Sequence, residues 1–237
     1  MLTKTNQTKN INRNKPALLR WDSEGVTIAG VNGTNGTASN LLNLPYDLVV
    51  DWSYTLFVSD RYNNRIQKFL RGSSNATTVA GRADGVAGST DTTLKEPTFL
   101  IVDDHGDIHV SDMKNSRVMF WKKNAVQGTI VAGNGVAGSS NDQLINPHGL
   151  AYDYRSNSLF IADHGNSRVM KYLYNSSIGI RVVGNNTCGT STIQLCQPHG
   201  LFFEQSSNSL LIANAAAYNI VRWVSNDTQW SIVVGNS

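Results

Sequence analysis

Charge is scarce in this chain. Asp, Glu, Lys and Arg make up 16% of 237 residues, and the formal net charge is +3. The basic residues do not cluster either. Lys4, Lys9, Arg13, Lys15 and the Lys122–Lys123 pair come nearest to a basic patch. A nucleic-acid binder gathers Lys and Arg on one face, so this distribution argues against nucleic acid as a partner. Long apolar runs are also missing. No stretch approaches the roughly 18 apolar residues of a membrane-spanning helix. The first 20 residues lack the apolar centre of a secretory signal. Either the protein is not secreted or the chain is a piece whose start lies upstream. No serine sits in a nucleophile elbow. The glycine pairs Gly85/Gly88 and Gly135/Gly138 open no helix and lead to no Lys-Ser/Thr ending, which excludes a phosphate loop. They read as connections between repeats.

Hydrophobic residues reach 40%, an ordinary globular share, so disorder is not the default. Asn, Gly, Ser and Thr take the place of the missing charge, and these residues support tight turns. They punctuate a repeat. LPYDLVVDWSYTLFVSDRYNNRIQKF starts at Leu44 and EPTFLIVDDHGDIHVSDMKNSRVMFW at Glu96. NPHGLAYDYRSNSLFIADHGNSRVMKY starts at Asn146 and QPHGLFFEQSSNSLLIANAAAYNIVRW at Gln197. The prolines of these units, Pro45, Pro97, Pro147 and Pro198, are spaced 52, 50 and 51 apart. A leucine stands three residues before each one: Leu42, Leu94, Leu144 and Leu195. A β-branched run and a glycine close each unit, at Gly81, Gly133, Gly184 and Gly235. The same ending occurs earlier, at Gly30.

Each unit reads as four short strands, in the first copy Asp47–Asp51, Leu56–Ser59, Ile66–Leu70 and Thr77–Ala80. Their nearly continuous apolar runs imply sheets covered on both faces. A four-stranded unit recurring every ~50 residues points to propeller blades, which bury their faces against neighbours. The fold class expected is therefore all-β, a β-propeller of four-stranded blades. Residues 1–16 form a polar tail and 17–43 a partial blade with strands at Ala17–Trp21 and Val26–Gly30. The full blades are 44–95, 96–145, 146–196 and 197–237.

Pro147, Gly149, Asp153, Asp163, Asn166 and Arg168, with their counterparts in the other units, make the pattern resemble the NHL repeat. The gluconolactonase-like and low-density-lipoprotein-receptor propellers are lesser alternatives. The resemblance covers residues 17 to 237. It implies six blades, about 300 residues in all, so four complete blades and one partial blade are expected to be part of a longer ring.

Asp60 and Arg65, Asp112 and Arg117, and Asp163 and Arg168 are each five apart around the turn between second and third strands. They could be ligand sites or turn-stabilising ion pairs. The fourth unit favours the ion pair: it carries Asn214 and Asn219 in the two slots, and joint loss is what a coupled pair predicts.

The residue after each proline is expected at the mouth of the central channel. This slot holds Tyr46, Thr98, His148 and His199, the candidate binding residues. The peptidyl-hydroxyglycine lyase domain, a similar fold, holds zinc with three histidines, and His148 and His199 invite that comparison. Two histidines fall short of the three protein ligands of a catalytic zinc, so no metal and no cofactor is assigned. His105, His109 and His164 do not align with the slot.

Cys188 and Cys196 share one loop, where they are either a disulfide or two free thiols; their joint arrival favours the disulfide. Asn-x-Ser/Thr sequons occur in loops at Asn32, Asn35, Asn75, Asn175, Asn185 and Asn226, and at Asn6 in the tail. Together these features suggest an extracellular or secreted protein. The reading that follows is a binding scaffold for a protein or glycan ligand. A zinc-dependent lyase and an RNA-binding NHL domain are the alternatives.

Overall fold

The computed structural model describes residues 25–235. The tail, the Ala17–Trp21 segment and the sequon at Asn6 lie outside that range. Blade 1 consists of β1 (Pro45–Val50), β2 (Leu56–Asp60), β3 (Arg65–Phe69) and β4 (Ala76–Gly81). Blade 2 consists of β5 (Pro97–Val102), β6 (Ile108–Asp112), β7 (Arg117–Trp121) and β8 (Thr129–Ala132). Blade 3 consists of β9 (Pro147–Asp153), β10 (Ser158–Asp163), β11 (Arg168–Leu173) and β12 (Ile180–Gly184). Blade 4 consists of β13 (Pro198–Glu204), β14 (Ser209–Asn214), β15 (Asn219–Val224) and β16 (Trp230–Val234). Every blade is an antiparallel meander in chain order. Val26–Gly30, expected as a fourth strand, makes no ladder among the described residues. The segment expected to pair with it lies outside them.

The cores lie between blades rather than within them. Phe57, Ile66 and Leu94 pack with Leu100, Val110 and Trp121 across blades 1 and 2. Val118 and Leu144 pack with Leu150, Ile161 and Tyr172 across blades 2 and 3. Phe160 and Val169 pack with Phe203, Ile212 and Trp223 across blades 3 and 4. This explains why the strands of blades 2 and 3 are apolar on both faces: each of these sheets has a neighbour on either side. The repeated leucines Leu94, Leu144 and Leu195 are fully buried in these seams.

A single 3-10 turn joins the second and third strands of each blade: Arg61–Asn63, Met113–Asn115, His164–Asn166 and Ala215–Ala217. Each turn ends on a left-handed residue, Asn64, Ser116, Ser167 or Tyr218. The blade-closing glycine packs against that residue. A Cβ on Gly184 would lie 2.3 Å from the Ser167 carbonyl oxygen, and its φ is +83°. Only glycine fits there without strain.

The Asp–Arg slots form buried ion pairs. Arg65 Nε lies 2.8 Å from Asp60 Oδ2; Arg117 and Arg168 lie 2.7 Å from Asp112 and Asp163. The other oxygen of each aspartate accepts the backbone N–H of Asn43, Lys95 or Ile145. The arginine forks donate to carbonyls of the loop entering the blade. Arg117 takes Ser89, Thr90 and Thr93; Arg168 takes Ser139, Ser140 and Gln143. A side chain satisfying this many backbone groups organises the loop and leaves little of itself for a ligand.

Candidate binding site at the inner rim

Strands β1, β5, β9 and β13 pack side by side, so each is the inner edge of its blade. Their first residues therefore converge at one end. Tyr46, His148 and His199 meet there. Tyr46 Oη forms a 2.6 Å hydrogen bond with His199 Nε2 and lies 3.4 Å from His148 Nδ1. The His148 and His199 ring centroids are 4.4 Å apart. The backbone makes this approach possible. A Cβ on Gly149 would lie 2.3 Å from the His199 carbonyl oxygen, so glycine lets β9 and β13 close up behind the two histidines. Ser111 Oγ fixes β9 from blade 2 by donating to the His148 carbonyl at 2.5 Å.

Thr98 does not join the cluster. It is fully buried, and its hydroxyl donates to the Pro147 carbonyl at 3.3 Å. The first-strand ladder slips just after the proline in every blade, and in blade 2 it is Phe99 that stands in the cluster. Its ring centroid is 5.7 Å from those of Tyr46 and His199. Two further residues come from a slot not considered in the sequence, the first position of each 3-10 turn. His164 lies 4.5 Å from His148, ring to ring. The Arg61 guanidinium sits over the Tyr46 ring at 5.1 Å and pairs with Glu96 at 2.8 Å. Reading the residue after each blade's Asp or Asn (Arg61, Met113, His164, Ala215) as a second rim slot would have found both.

The cluster is electrically distinctive. Burial pushes His148 down to about 3, helped by repulsion from His199, His164, Arg61 and Lys114. His164 is lowered by burial and His199. His199 is lowered by burial and Arg61. Burial raises the Tyr46 phenol, against the pull of Arg61. At neutral pH the site thus presents three uncharged imidazoles, a protonated phenol and one guanidinium. Buried Arg61 Nε and His164 Nδ1 have no hydrogen-bond partner. His148 lies tilted against His199 and His164 at centroid distances of 4.4 and 4.5 Å, and His164 and His199 meet edge-on at 6.1 Å. Among the described residues, no group of three His, Cys, Asp or Glu side chains has the geometry to hold a metal ion. The arrangement can donate, accept and stack; it offers no activated nucleophile.

The remaining candidates fall elsewhere. Cys188 and Cys196 form a disulfide. Asn32, Asn35, Asn75, Asn175 and Asn226 are exposed, and Asn185 is half-buried. Asn75, Asn175 and Asn226 occupy equivalent connections between third and fourth strands.

Residues 144–172 match the family model of the NHL repeat. The fold is an NHL-repeat β-propeller. No curated protein sequence matches the chain. The propeller is similar to a nidogen/laminin complex structure, with TM-score 0.62 and 18% identity, covering 81% of this chain and 65% of that one. It is similar to a streptogramin B lyase, with TM-score 0.58 and 12% identity, covering 84% and 56%. A catalytically inactive histidine-to-alanine variant of virginiamycin B lyase from Staphylococcus aureus, with quinupristin, gives TM-score 0.56 and 11% identity, covering 79% and 54%. The chain thus spans between about half and two thirds of the length of these structures. At such identities the likeness is one of fold.

Proposed function

We infer that this NHL-repeat propeller is an extracellular interaction scaffold that docks a protein ligand on the inner-rim face. The observation carrying this reading is the convergence of Tyr46, Arg61, Phe99, His148, His164 and His199 from four blades, with two unpartnered polar atoms, Arg61 Nε and His164 Nδ1, among them. Buried polar atoms are nearly always paired, so unpaired ones at a surface cluster invite a ligand's donors and acceptors. Aromatic and arginine side chains are also the groups that dominate protein interfaces. The disulfide and the exposed sequons support an oxidising, extracellular setting. The nidogen/laminin likeness supports a protein partner; a glycan on such a partner is a second contact to test.

The test is affinity capture from an extracellular fraction, with the chain and its Tyr46→Ala and His199→Ala variants as baits. A specific partner retained by the chain and lost by both folded variants supports the docking face. A partner held equally by all three places docking elsewhere. Production through a secretory pathway, with and without deglycosylation, reads the localisation. No glycan on any of the six loop sequons would count against it.

A further inference from the structure

The face opposite the 3-10 turns carries a second feature. In each antiparallel meander, the connections from first to second strand and from third to fourth lie at that end. Between blades 2 and 3 they part around a cavity of about 690 Å³. One wall is the β5–β6 connection with Asp103, Asp104 and Asp107. The other carries Tyr152 near the end of β9, Tyr154 just after it and Tyr174 after β11. His109 and Phe120 line its inner side.

We propose that this groove binds an organic cation, an alkylammonium or guanidinium group, held by the rings of Tyr154 and Tyr174, the carboxylates of Asp103 and Asp104, and the imidazole of His109. Three observations carry the proposal. The first is charge. Three carboxylates face a single lysine, Lys122, in the lining, on a chain whose net charge is +3. Among the described residues each carboxylate uses only its Oδ1: Asp103 accepts the N–H groups of His105 and Asp107, Asp104 accepts Trp52 Nε1, and Asp107 accepts the Lys123 N–H. The second oxygens remain for a ligand.

The second observation is aromatic surface. Tyr154 is 61% and Tyr174 70% exposed, although both are large rings beside a cavity. Tyr152 and Tyr154 lie 5.0 Å apart, centroid to centroid. The Asp103 and Asp104 carboxylates, behind burial itself, help raise the Tyr154 phenol, and Asp103 adds to the rise at Tyr152. Carboxylates close behind aromatic rings make a cage whose faces attract cations.

The third observation is His109. Its ring is packed between Phe120 and Tyr152, at 4.8 and 5.6 Å. Its Nδ1 is buried without a hydrogen-bond partner. Burial holds its pKa at about 4, so the ring is uncharged at neutral pH and does not repel a cation. A neutral imidazole protonated on Nε2 leaves Nδ1 to accept an N–H. An anion would meet three carboxylates and is disfavoured.

The test is a titration of the whole chain with choline, with N-acetyl-arginine amide, and with 3,3-dimethylbutan-1-ol, the uncharged shape-mate of choline. Tyrosine resonances report binding. Both cations are expected to saturate and to compete for one site, with the neutral alcohol at least about tenfold weaker. Tyr154→Ala should weaken the cations about 2–5-fold, the range of an exposed cation–π contact. Asp104→Asn keeps the acceptor for Trp52 and removes the charge, and should weaken them likewise. His109→Phe keeps the ring stack and removes the acceptor, and should weaken the guanidinium and leave choline, which has no N–H, unchanged. The tighter of the two cations identifies the source as a basic peptide side chain or a quaternary amine. Equal binding of the neutral alcohol or of a neutral sugar overturns the proposal. So does the absence of saturable binding by either cation, or unchanged cation affinity in folded Tyr154→Ala and Asp104→Asn.

Discussion

Reducing the Cys188–Cys196 disulfide removes the covalent hold on the loop that enters blade 4. In blades 2 and 3 the same loop is held by the arginine fork. Blade 4 has Asn219 in that slot, accepting from Asn214 Nδ2, and so has no arginine fork there. Gly189, next to Cys188, is the repeat counterpart of Gly88 and Gly138, each with its N–H donated to the buried leucine carbonyl six residues on. Cys196 follows Leu195, and its N–H donates to Asn214 Oδ1 as the Ile145 N–H does to Asp163. The disulfide therefore encloses the stretch that Arg168 clamps one blade earlier. Trp230 Nε1 takes over the Gln194 carbonyl, the counterpart of the Gln143 carbonyl bound by Arg168. The loss of the ion pair and the gain of the disulfide are two sides of one exchange. A crosslink closing so short a loop contributes about 2.5 kcal/mol in the chain-entropy model. For a chain of this length that is a fall in Tm of roughly 5–10 °C on reduction. Thermal melts with and without a phosphine reductant, with thiols counted, measure it. Restoring the pair with Asn214→Asp and Asn219→Arg should at least halve the fall. A reduced chain that melts within about 1 °C of the oxidised one refutes the staple. An undiminished fall in the double variant refutes the exchange.

Arg117→Ala leaves Asp112 buried without its partner, in a site where burial already pushes the carboxyl up against its hydrogen bonds. The expected destabilisation is about 3–5 kcal/mol, read by denaturant unfolding; a change below about 0.5 kcal/mol would show that the pair is dispensable. Gly149→Ala forces a methyl against the His199 carbonyl and should destabilise by about 1–3 kcal/mol. Its rim readout is loss of the Tyr46–His199 contact by NMR. Stability should also fall on acidification. His148 and His109 titrate near 3 and 4 when folded and near 6.5 when unfolded, so the unfolded chain binds more protons below pH 6.5. Their contribution is complete above pH 6.5 and declines as the pH falls toward 3. His109→Phe should flatten part of that decline in a series of melts; an unchanged slope would show that another group is responsible.

The blades were legible in the sequence because a repeat writes its strand pattern four times. Pro45, Pro97, Pro147 and Pro198 each open a first strand, and the recurrent glycines Gly81 and Gly184 each close a fourth. The Asp–Arg pairs were legible because they lie five residues apart across a single turn. The disulfide was legible because both cysteines share one loop. All of these are local, and local spacing along a chain constrains local geometry. The rim depended on contacts between blades, which the sequence does not encode at any fixed separation. The post-proline slot places Tyr46, His148 and His199 together, yet in blade 2 Thr98 is buried against the Pro147 carbonyl and Phe99 takes the place among the rings. His164 and Arg61 belong to another slot altogether, and only packing of adjacent blades carried them to the same rim. The groove behind Tyr154 and Tyr174 shows the same limit. Its walls lie up to about 70 residues apart in sequence and meet because blades 2 and 3 bury their shared faces.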